Sequence, residues 1–407
     1  MTDRRTGLAS EREAFDDEAR ARHHADLLAR TIDICLSSSD FYRANLRGAG
    51  IDGAQGVTLR QVPVTTKPEA REAMAGLGTF PLHEAKRIFM SPGPHFYASQ
   101  RRADPPAERG KTPLAFALHA MGFRENDIVL NTFSYHLSPG GFGFDDQLIA
   151  AGCAVVPAGP QNTELQAEIL ANLPVTGYVG TPTFLKLLCD KADELGSRDR
   201  WSLAVAFVTA EKLPASLRAE LEARTGATVR QIYGSADGLL PAYECWANAG
   251  MHLHPDQILE VLDPQTREPV PLGEPGEVVV TLPNLNRPLL RFATGDLVSL
   301  RDDECPCGRT GPRIDSFVGR VDEATKIRGM FVYPEQIASL LARRGIHHWH
   351  AVVDKAADGT DDLLVIVDGD PSGLDEALRD AIRVRARVEA GAVPDGAKRL
   401  DDRRRYD

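Results

Sequence analysis

The feature that most restricts the fold of this chain is an alternation of short apolar runs and helical segments between residues 127 and 233. The apolar runs include Asp127–Asn131, Ala154–Pro157 and Leu203–Val208, and several of the intervening helical segments reach ten residues. Strands that alternate with helices of this length form parallel βαβ units whose sheet is covered on both faces. The pattern therefore predicts an α/β fold built on a parallel sheet.

The pattern changes beyond residue 240. Strands at 258–262 and 277–282 are separated by Pro- and Gly-rich turns, which predicts a smaller β-rich subdomain of antiparallel type. A compact stretch with helical segments at 334–342 and 373–385 follows Gly319. We therefore predict a large domain of residues 1–318, with a turn-rich loop at 302–313, and a small C-terminal α+β domain of residues 319–407.

Charge and hydropathy limit the classes of partner. The 407 residues include 47 Lys and Arg and 58 Asp and Glu. The resulting net charge of −11 argues against nucleic acid or an anionic membrane as partner. No apolar run reaches the length of a membrane-spanning helix, and the first residues are polar rather than a signal-type apolar stretch. We expect a cytoplasmic enzyme with no nucleic-acid or membrane partner.

The six cysteines fall into two groups. Cys35, Cys153 and Cys189 have apolar neighbours in the sequence, and we predict them to be small core residues. The remaining three lie in polar, turn-rich sequence together with a histidine, and this set reads Cys245, His252, Cys305 and Cys307. Thiolate and imidazole are the ligands that tetrahedral Zn²⁺ prefers, so the set predicts a structural zinc site, with His254 as the alternative fourth ligand.

Three polar motifs follow predicted parallel strands. They are Asn131–Gly141, Val208–Lys212 and Gln231–Gly238. In open parallel sheets, ligands bind outside the carboxyl ends of the strands. Glycine allows close approach of the backbone, and hydroxyl and carboxylate groups suit a nucleotide with its Mg²⁺, so the motifs predict a nucleotide site at this edge.

The order of these and later motifs resembles the adenylate-forming superfamily, and most closely its phenylacetate–CoA ligase family. The resemblance extends over nearly the whole chain and is carried by Phe41–Arg43, Ala49–Ile51, Val64–Lys67, Tyr233–Asp237, Gly276–Thr281, Arg291–Leu297, Cys305–Arg309, Gly319–Glu323 and Ile327–Pro334. It implies a mobile small domain, the use of ATP or AMP with Mg²⁺, CoA as cosubstrate and a carboxylic acid as substrate. The resemblance also supports the zinc site.

The resemblance implies roles for individual residues. Asp296, helped by Arg320, would bind the ribose hydroxyls, and Asp322 would be the hinge of the small domain. The adenine, α-phosphate and Mg²⁺ would be held by Ala210, Glu211, Tyr233, Gly234, Ser235 and Asp237. Asp237 and Arg320 would also be catalytic. His136 lies at a strand end in the expected acyl pocket, either as a catalytic or carboxylate-binding group or as a packed wall residue.

Three departures from the family pattern concern ATP chemistry. The phosphate loop reads Ser91–Tyr97, where two prolines lack N–H donors and the family's lysine is missing. Asp237 replaces the family's glutamate. The position of the C-terminal adenylation lysine reads Gly396, with Lys398 as a substitute two residues later.

The sequence thus predicts an enzyme that activates an aromatic or small carboxylic acid through an acyl-adenylate to its CoA thioester. The alternative is an ATP-independent relative that binds or transfers acyl-CoA, because losing one charge-stabilising donor costs about 10²–10³ in rate. A third hypothesis is a zinc-braced scaffold without activity. A homodimer is a further expectation.

Overall fold

The computed structural model describes residues 3–73, 77–91, 95–98, 100–105, 112, 114–211, 213–235, 239–321, 325–327, 330–356, 361–394 and 398–404. The chain divides into two compact units. The first comprises Met1–Glu260, Val279–Thr294 and Leu300–Asp315, and the second comprises Val261–Val278, Gly295–Ser299 and Ser316–Asp407. The boundary therefore passes five times through strands of the β-rich region. The predicted domains 1–318 and 319–407 stay a prediction.

Ten α-helices lie in the described part of the chain. They are α1 (Asp17–Ser38), α2 (Asp40–Gly48), α3 (Lys67–Glu72), α4 (Ala115–Met121), α5 (Pro139–Ala150), α6 (Thr163–Asn172), α7 (Pro182–Glu194), α8 (Ala215–Thr225), α9 (Pro334–Ala342) and α10 (Leu374–Ile382). None of these helices combines the length and the apolar character that crossing a bilayer requires.

The described residues also form nineteen β-strands. They are β1 (Ile88–Ser91), β2 (His95–Ala98), β3 (Ile128–Asn131), β4 (Ala154–Pro157), β5 (Gly177–Gly180), β6 (Val205–Val208), β7 (Thr228–Ser235), β8 (Leu239–Glu244), β9 (Met251–Leu253), β10 (Ile258–Leu262), β11 (Gly276–Leu282), β12 (Leu289–Arg301), β13 (Arg313–Arg320), β14 (Thr325–Ile327), β15 (Met330–Val332), β16 (Trp349–Lys355), β17 (Asp361–Val367), β18 (Arg387–Ala390) and β19 (Leu400–Asp402).

The first unit is built on a sheet in the order β4–β3–β5–β6–β7–β8–β9. The strands from β4 to β7 pair in parallel, and helices α5 to α8 make the connections between them. Beyond β7 the pairing becomes antiparallel, through β8 and β9. The predicted α/β fold with a parallel sheet and β-rich part is confirmed.

Both faces of the parallel sheet carry apolar side chains. In β6, Val205 and Phe207 belong to one buried cluster, whereas Ala206 and Val208 belong to another. All four side chains are fully buried, as the alternation of side chains along a strand requires when helices cover both faces. Cys35, Cys153 and Cys189 are buried as predicted.

The sequence predicts a helix from Asp145 to Ala151 after a Gly-rich turn, whereas in the structure the Gly-rich stretch is itself part of helix α5. Ser138 caps the helix by accepting a hydrogen bond from the Gly140 amide at 3.3 Å, and Pro139 occupies the first turn. A side chain at Gly141 would lie 2.6 Å from the carbonyl oxygen of Ser134. Glycine is therefore needed here for close packing within a helix, which local sequence does not reveal.

The second unit contains a four-stranded sheet in the order β18–β17–β16–β19. The central pair, β16 and β17, is antiparallel, whereas each edge strand runs parallel to its neighbour. Helices α9 and α10 contribute Ile337, Leu341, Leu374 and Leu378 to its apolar core. The predicted mixture of helices and strands in this part of the chain is confirmed.

Gly180 ends β5, and we predict that its replacement destabilises the fold. A Cβ atom there would lie 2.0 Å from the Thr132 hydroxyl and 2.2 Å from the Tyr178 hydroxyl, both in buried side chains. Gly180→Ala should therefore lower the free energy of unfolding by about 1–3 kcal/mol in urea titrations. Gly143→Ala is the matched control, since a Cβ atom in this helical position meets no atom within 4 Å. That variant should be neutral or more stable by up to about 1 kcal/mol; equal effects of both would contradict the packing argument.

Candidate active site and metal cluster

The carboxyl ends of the parallel strands form the frame of the candidate site. In the register, Asn131 of β3 lies beside Val179 of β5, Gly180 lies beside Val208 of β6, and Val208 lies beside Gln231 of β7. The three polar motifs predicted from the sequence therefore leave the same edge of the sheet. This arrangement is the usual ligand edge of an open α/β sheet.

Ala210 and Glu211 form a turn after β6 that hydrogen bonds to neighbouring elements fix in place. Ala210 has a φ of 70°, in the left-handed region that costs a non-glycine residue about 1–2 kcal/mol. The Glu211 carboxylate accepts hydrogen bonds from the Thr183 hydroxyl at 2.6 Å and amide at 3.3 Å, and its carbonyl oxygen accepts one from Gln231 at 3.2 Å. The turn is thus fixed by hydrogen bonds from α7 and β7, while both residues stay exposed.

The next motif ends β7. Tyr233 is 5% exposed and donates its hydroxyl hydrogen to Thr294 Oγ1 at 3.2 Å. The pairing of β7 with β8 is irregular between Tyr233 and Ser235, which turns Gly234 out of the regular ladder. Asp237, the predicted magnesium and catalytic residue, lies outside the described residues, and so does the side chain of Ser235.

Asp296 and Arg320 contact each other in the second unit. Arg320 Nη1 donates to Asp296 Oδ1 at 2.6 Å, and the side chains are 40% and 17% exposed, respectively. Gly295 precedes Asp296 with a φ of 74°, and its amide donates to Glu277 at 3.0 Å. The structure therefore brings together the two residues predicted to bind ribose. The predicted hinge residue Asp322 lies outside the described residues.

Tyr135 is held at the ligand edge by a buried amide. The fully buried Asn131 donates to Tyr135 Oη at 3.0 Å and to the Gly141 carbonyl at 2.9 Å. The Phe142 ring packs edge-on against Tyr135 at 5.1 Å between centroids. Since Asn131 supplies the hydrogen of this bond, the phenol keeps its own hydrogen for donation. Nothing in the local sequence singled out Asn131 for this role.

The phenol of Tyr135 is a donor across the working pH range. Burial raises its pKa to about 12, and the negative charge of Asp145 acts in the same direction. Burial also raises the pKa of Asp145, helped by repulsion from Asp146. His136, the predicted catalytic alternative, is exposed, and its amide donates to Ser134 Oγ at 3.1 Å.

The segments that depart from the family pattern are described only in part. Strands β1 and β2 form an antiparallel hairpin, but residues 92–94 between them lie outside the described residues, as does Gly396. Lys398 is exposed, and its carbonyl oxygen is 2.6 Å from Nδ1 of the buried His350.

The predicted metal ligands form one buried cluster. Cys245, His252, Cys305 and Cys307 present ligand atoms that all lie within 4.8 Å of one another. Strand β8 leads to Cys245, β9 carries His252, and the loop before β13 carries the other two cysteines. His254 lies apart from the cluster, with its Nδ1 accepting a hydrogen bond from the Asp256 amide at 3.1 Å.

The dimensions of the cluster fit a zinc ion. Cys245 Sγ and Cys305 Sγ are 3.7 Å apart, and Cys307 Sγ is 3.3 Å from His252 Nε2. Tetrahedral zinc with sulfur at about 2.3 Å and nitrogen at about 2.0–2.1 Å separates two sulfurs by about 3.8 Å and sulfur from nitrogen by about 3.6 Å. Hydrogen bonds from Cys245 and, less strongly, from His252 lower the pKa of Cys307.

Comparison with known proteins identifies the family. The family model described as "AMP-binding enzyme" matches residues 115–289. A phenylacetate–coenzyme A ligase of Thermus thermophilus is 32% identical over 333 residues, 77% of this chain and 73% of the relative. The corresponding Escherichia coli enzyme is 28% identical over 335 residues, 75% of this chain and 72% of the relative.

A solved structure supports the fold independently. The open conformation of 2-hydroxyisobutyryl-CoA ligase, in complex with 2-HIB-AMP and CoA, has a TM-score of 0.79 to this chain at 23% identity. The similarity covers 98% of this chain and 93% of that chain. The phenylacetate–coenzyme A ligases among the relatives do not favour the alternative of an ATP-independent protein or of a scaffold without activity. The chain belongs to the phenylacetate–CoA ligase family of AMP-binding enzymes and is an AMP-forming acid–CoA ligase.

Proposed function

We propose that this enzyme activates an aromatic or other small carboxylic acid in two steps. ATP and the acid first give an acyl-adenylate and pyrophosphate, and the CoA thiol then displaces AMP to give the thioester. The observation that carries the proposal is the convergence of the Asn131, Ala210 and Tyr233 motifs on one parallel-sheet edge. The phenylacetate–coenzyme A ligases among the relatives favour an arylacetic acid as the first substrate to test.

Each nucleotide group has a proposed partner in the chain. Ala210, Glu211 and Tyr233 would border the adenine, with Gly234 and Ser235 beside the α-phosphate. Asp296 would accept both ribose hydroxyls, and its 2.6 Å contact with Arg320 would orient it and balance its charge. Asp237 would hold Mg²⁺, which supplies charge neutralisation at the phosphates when bound.

Tyr135 is the group that we propose for positioning the acid. Its hydroxyl is oriented by the buried Asn131 and keeps a hydrogen for a substrate oxygen. The Phe142 ring beside it offers an apolar surface for an aromatic or short aliphatic group. His136 is the second donor of this region, and its exposed position suits a residue that approaches the substrate carboxylate from solvent.

Movement of the small domain belongs to the same proposal. Residues 319–407 would turn about Asp322 between adenylation and thioester formation, so that the two steps use different closed forms. A cytoplasmic location and a homodimer are further proposals that follow from the sequence.

The activity is tested by incubating the purified protein with ATP, Mg²⁺, CoA and either phenylacetate, benzoate or butyrate. AMP and acyl-CoA should form in equal amounts, as measured by liquid chromatography and mass spectrometry. Neither should form without ATP. If the protein instead transfers an acyl group from an added acyl-CoA without ATP, the proposed two-step reaction is wrong.

Asp296→Asn should weaken nucleotide use without unfolding the protein. Losing the charge-assisted bonds to ribose costs about 1.5–3 kcal/mol, so kcat/KM for ATP should fall about 10–100-fold. The melting temperature should change little, because the Arg320 partner is 40% exposed and such pairs contribute little to stability. Asp362→Asn, which breaks the 2.7 Å pair with the exposed Arg387, is the control and should keep full activity. An unchanged kcat/KM in Asp296→Asn would rule out the ribose role.

We also propose that the metal cluster holds one structural Zn²⁺. Its four ligand positions are filled by Cys245, His252, Cys305 and Cys307, so the ion would join the loop at 303–311 to strands β8 and β9. A filled tetrahedral site adds folding free energy because the unfolded chain does not assemble the ligands.

Cys307→Ser should lower the zinc content and the melting temperature together. A loss of about 3 kcal/mol corresponds to a fall of about 6 °C or less, because each kcal/mol shifts the melting temperature by about 2–4 °C in domains of 150–250 residues and by less in a larger domain such as the predicted 1–318. Elemental analysis and calorimetry measure the two effects. Cys153→Ala removes a buried thiol outside the cluster and should leave zinc at one per chain. Wild-type protein that contains no zinc after purification without chelator would refute the site.

A further inference from the structure

The loop that follows the metal ligands is covered by the N-terminal segment. We use the name N-terminal segment for residues 7–15 and metal loop for residues 303–311. The Thr310 amide donates to the Glu13 carbonyl at 3.0 Å, and the Thr310 hydroxyl donates to the Phe15 carbonyl at 2.7 Å. Arg309 donates to the Gly7 carbonyl at 3.1 Å. These contacts extend along the whole N-terminal segment.

Glu13 is the buried centre of this contact. One carboxylate oxygen accepts from Arg309 Nε at 2.6 Å and from the Tyr243 hydroxyl at 2.7 Å. The other accepts from the backbone amides of Ala9 and of Ser10, the latter at 3.2 Å. The Glu13 and Arg309 side chains are each 1% exposed. Glu13 therefore accepts hydrogen bonds both from the backbone of the N-terminal segment and from the metal loop.

Arg309 and Tyr243 connect the buried Glu13 carboxylate to the metal ligands. Arg309 lies two residues after Cys307 in the metal loop, and its guanidinium donates to the Glu13 carboxylate. Tyr243 of β8 pairs with His252 of β9, which is a second predicted metal ligand. Two of the groups that donate to Glu13 are thus adjacent to predicted metal ligands, Arg309 along the chain and Tyr243 across the strand pair.

Removing either side would leave a buried charge unpaired. If the metal loop moved after loss of zinc, Arg309 would leave the carboxylate, and a buried carboxylate without its partner is strongly unfavourable. If the N-terminal segment left, Arg309 would lose its acceptors and would hold the Cys307 region less firmly. We infer that the metal loop and the N-terminal segment form one cooperative unit, so that zinc binding and docking of the N-terminal segment stabilise each other.

This inference rests on the proposed zinc site, and a first experiment uses the wild-type protein. Amide hydrogen exchange is followed in zinc-loaded protein and after removal of zinc with a chelator. The amides of Ala9, Ser10 and Thr310, which are hydrogen-bonded at this contact, should exchange about tenfold faster or more without zinc. Amides of β17 in the second unit provide the internal reference and should not change.

A reciprocal experiment measures zinc affinity by competition with a chelating dye. Coupling between two binding events is equal in both directions, and partners outside the ligand shell typically change metal affinity about 10–100-fold. Glu13→Gln should therefore weaken zinc binding about tenfold or more. Arg4→Gln is the matched control, because it breaks another buried pair of the N-terminus, the 2.7 Å contact of Arg4 with Asp127, without touching the metal loop. Its zinc affinity should stay within about twofold of wild type.

The outcomes separate the two proposals. Zinc at one per chain, with fast exchange on chelation and weak zinc binding in Glu13→Gln, supports the coupling. Zinc at one per chain, with unchanged exchange in the N-terminal segment and unchanged affinity in Glu13→Gln, overturns the coupling but keeps the zinc site. Absence of zinc from the purified protein overturns both. The ligase assay is independent of all three results.

Discussion

The parallel hydrogen bonding of β3, β5, β6 and β7 is the constraint on which the candidate site depends. Because these strands run in one direction, the residues that follow Asn131, Gly180 and Val208 are delivered to a single edge. The interior of the sheet is filled by apolar side chains on both faces, and the loops at this edge adopt unusual backbone conformations. Ala210, with its φ of 70°, and the irregular pairing after Tyr233 both occur there.

A different principle holds the metal loop, which has almost no apolar core of its own. Arg309 of the metal loop and Arg313, which follows the loop, are 3% and 0% exposed as whole residues. Arg309 donates to the Glu13 carboxylate, and Arg313 donates to the carbonyl and carboxylate oxygens of Asp303 in the loop. A buried guanidinium is stable only while its acceptors stay in place. Such a loop cannot loosen gradually at one contact, since each lost acceptor makes the next contact less favourable. This is the physical origin of the cooperativity that we infer between zinc and the N-terminal segment.

The sequence was sufficient wherever the signal was local. The apolar run of β6 and the helical spacing of α7 gave elements close to those observed, because burial on both faces imposes an apolar pattern on neighbouring residues. The metal ligands were also recognisable, since cysteines among Asp, Pro and Arg have no place in an apolar core. The predicted start of α5 was wrong because a run of glycines alone favours a turn. In the structure these glycines are needed for close contact with Ser134 and Phe133.

The contacts that could not be predicted join residues far apart in the chain. Glu13 and Arg309 are separated by 296 positions, and Glu13 lies in a charged stretch that reads as a solvated helix face. Glu13 is buried because Arg309 of the metal loop needs a hydrogen-bond acceptor. The residues near Glu13 in the sequence give no sign of this requirement. Asn131 is a similar case, because an asparagine is compatible with many kinds of turn. Its hydrogen bonds to Tyr135 and Gly141 become apparent only in the folded chain. In both cases a single buried side chain with several hydrogen bonds fixes the orientation of a neighbour, since Asn131 orients Tyr135 and Glu13 orients Arg309. The positions of Tyr135 and Arg309 therefore depend on buried polar groups that the sequence motifs alone do not single out.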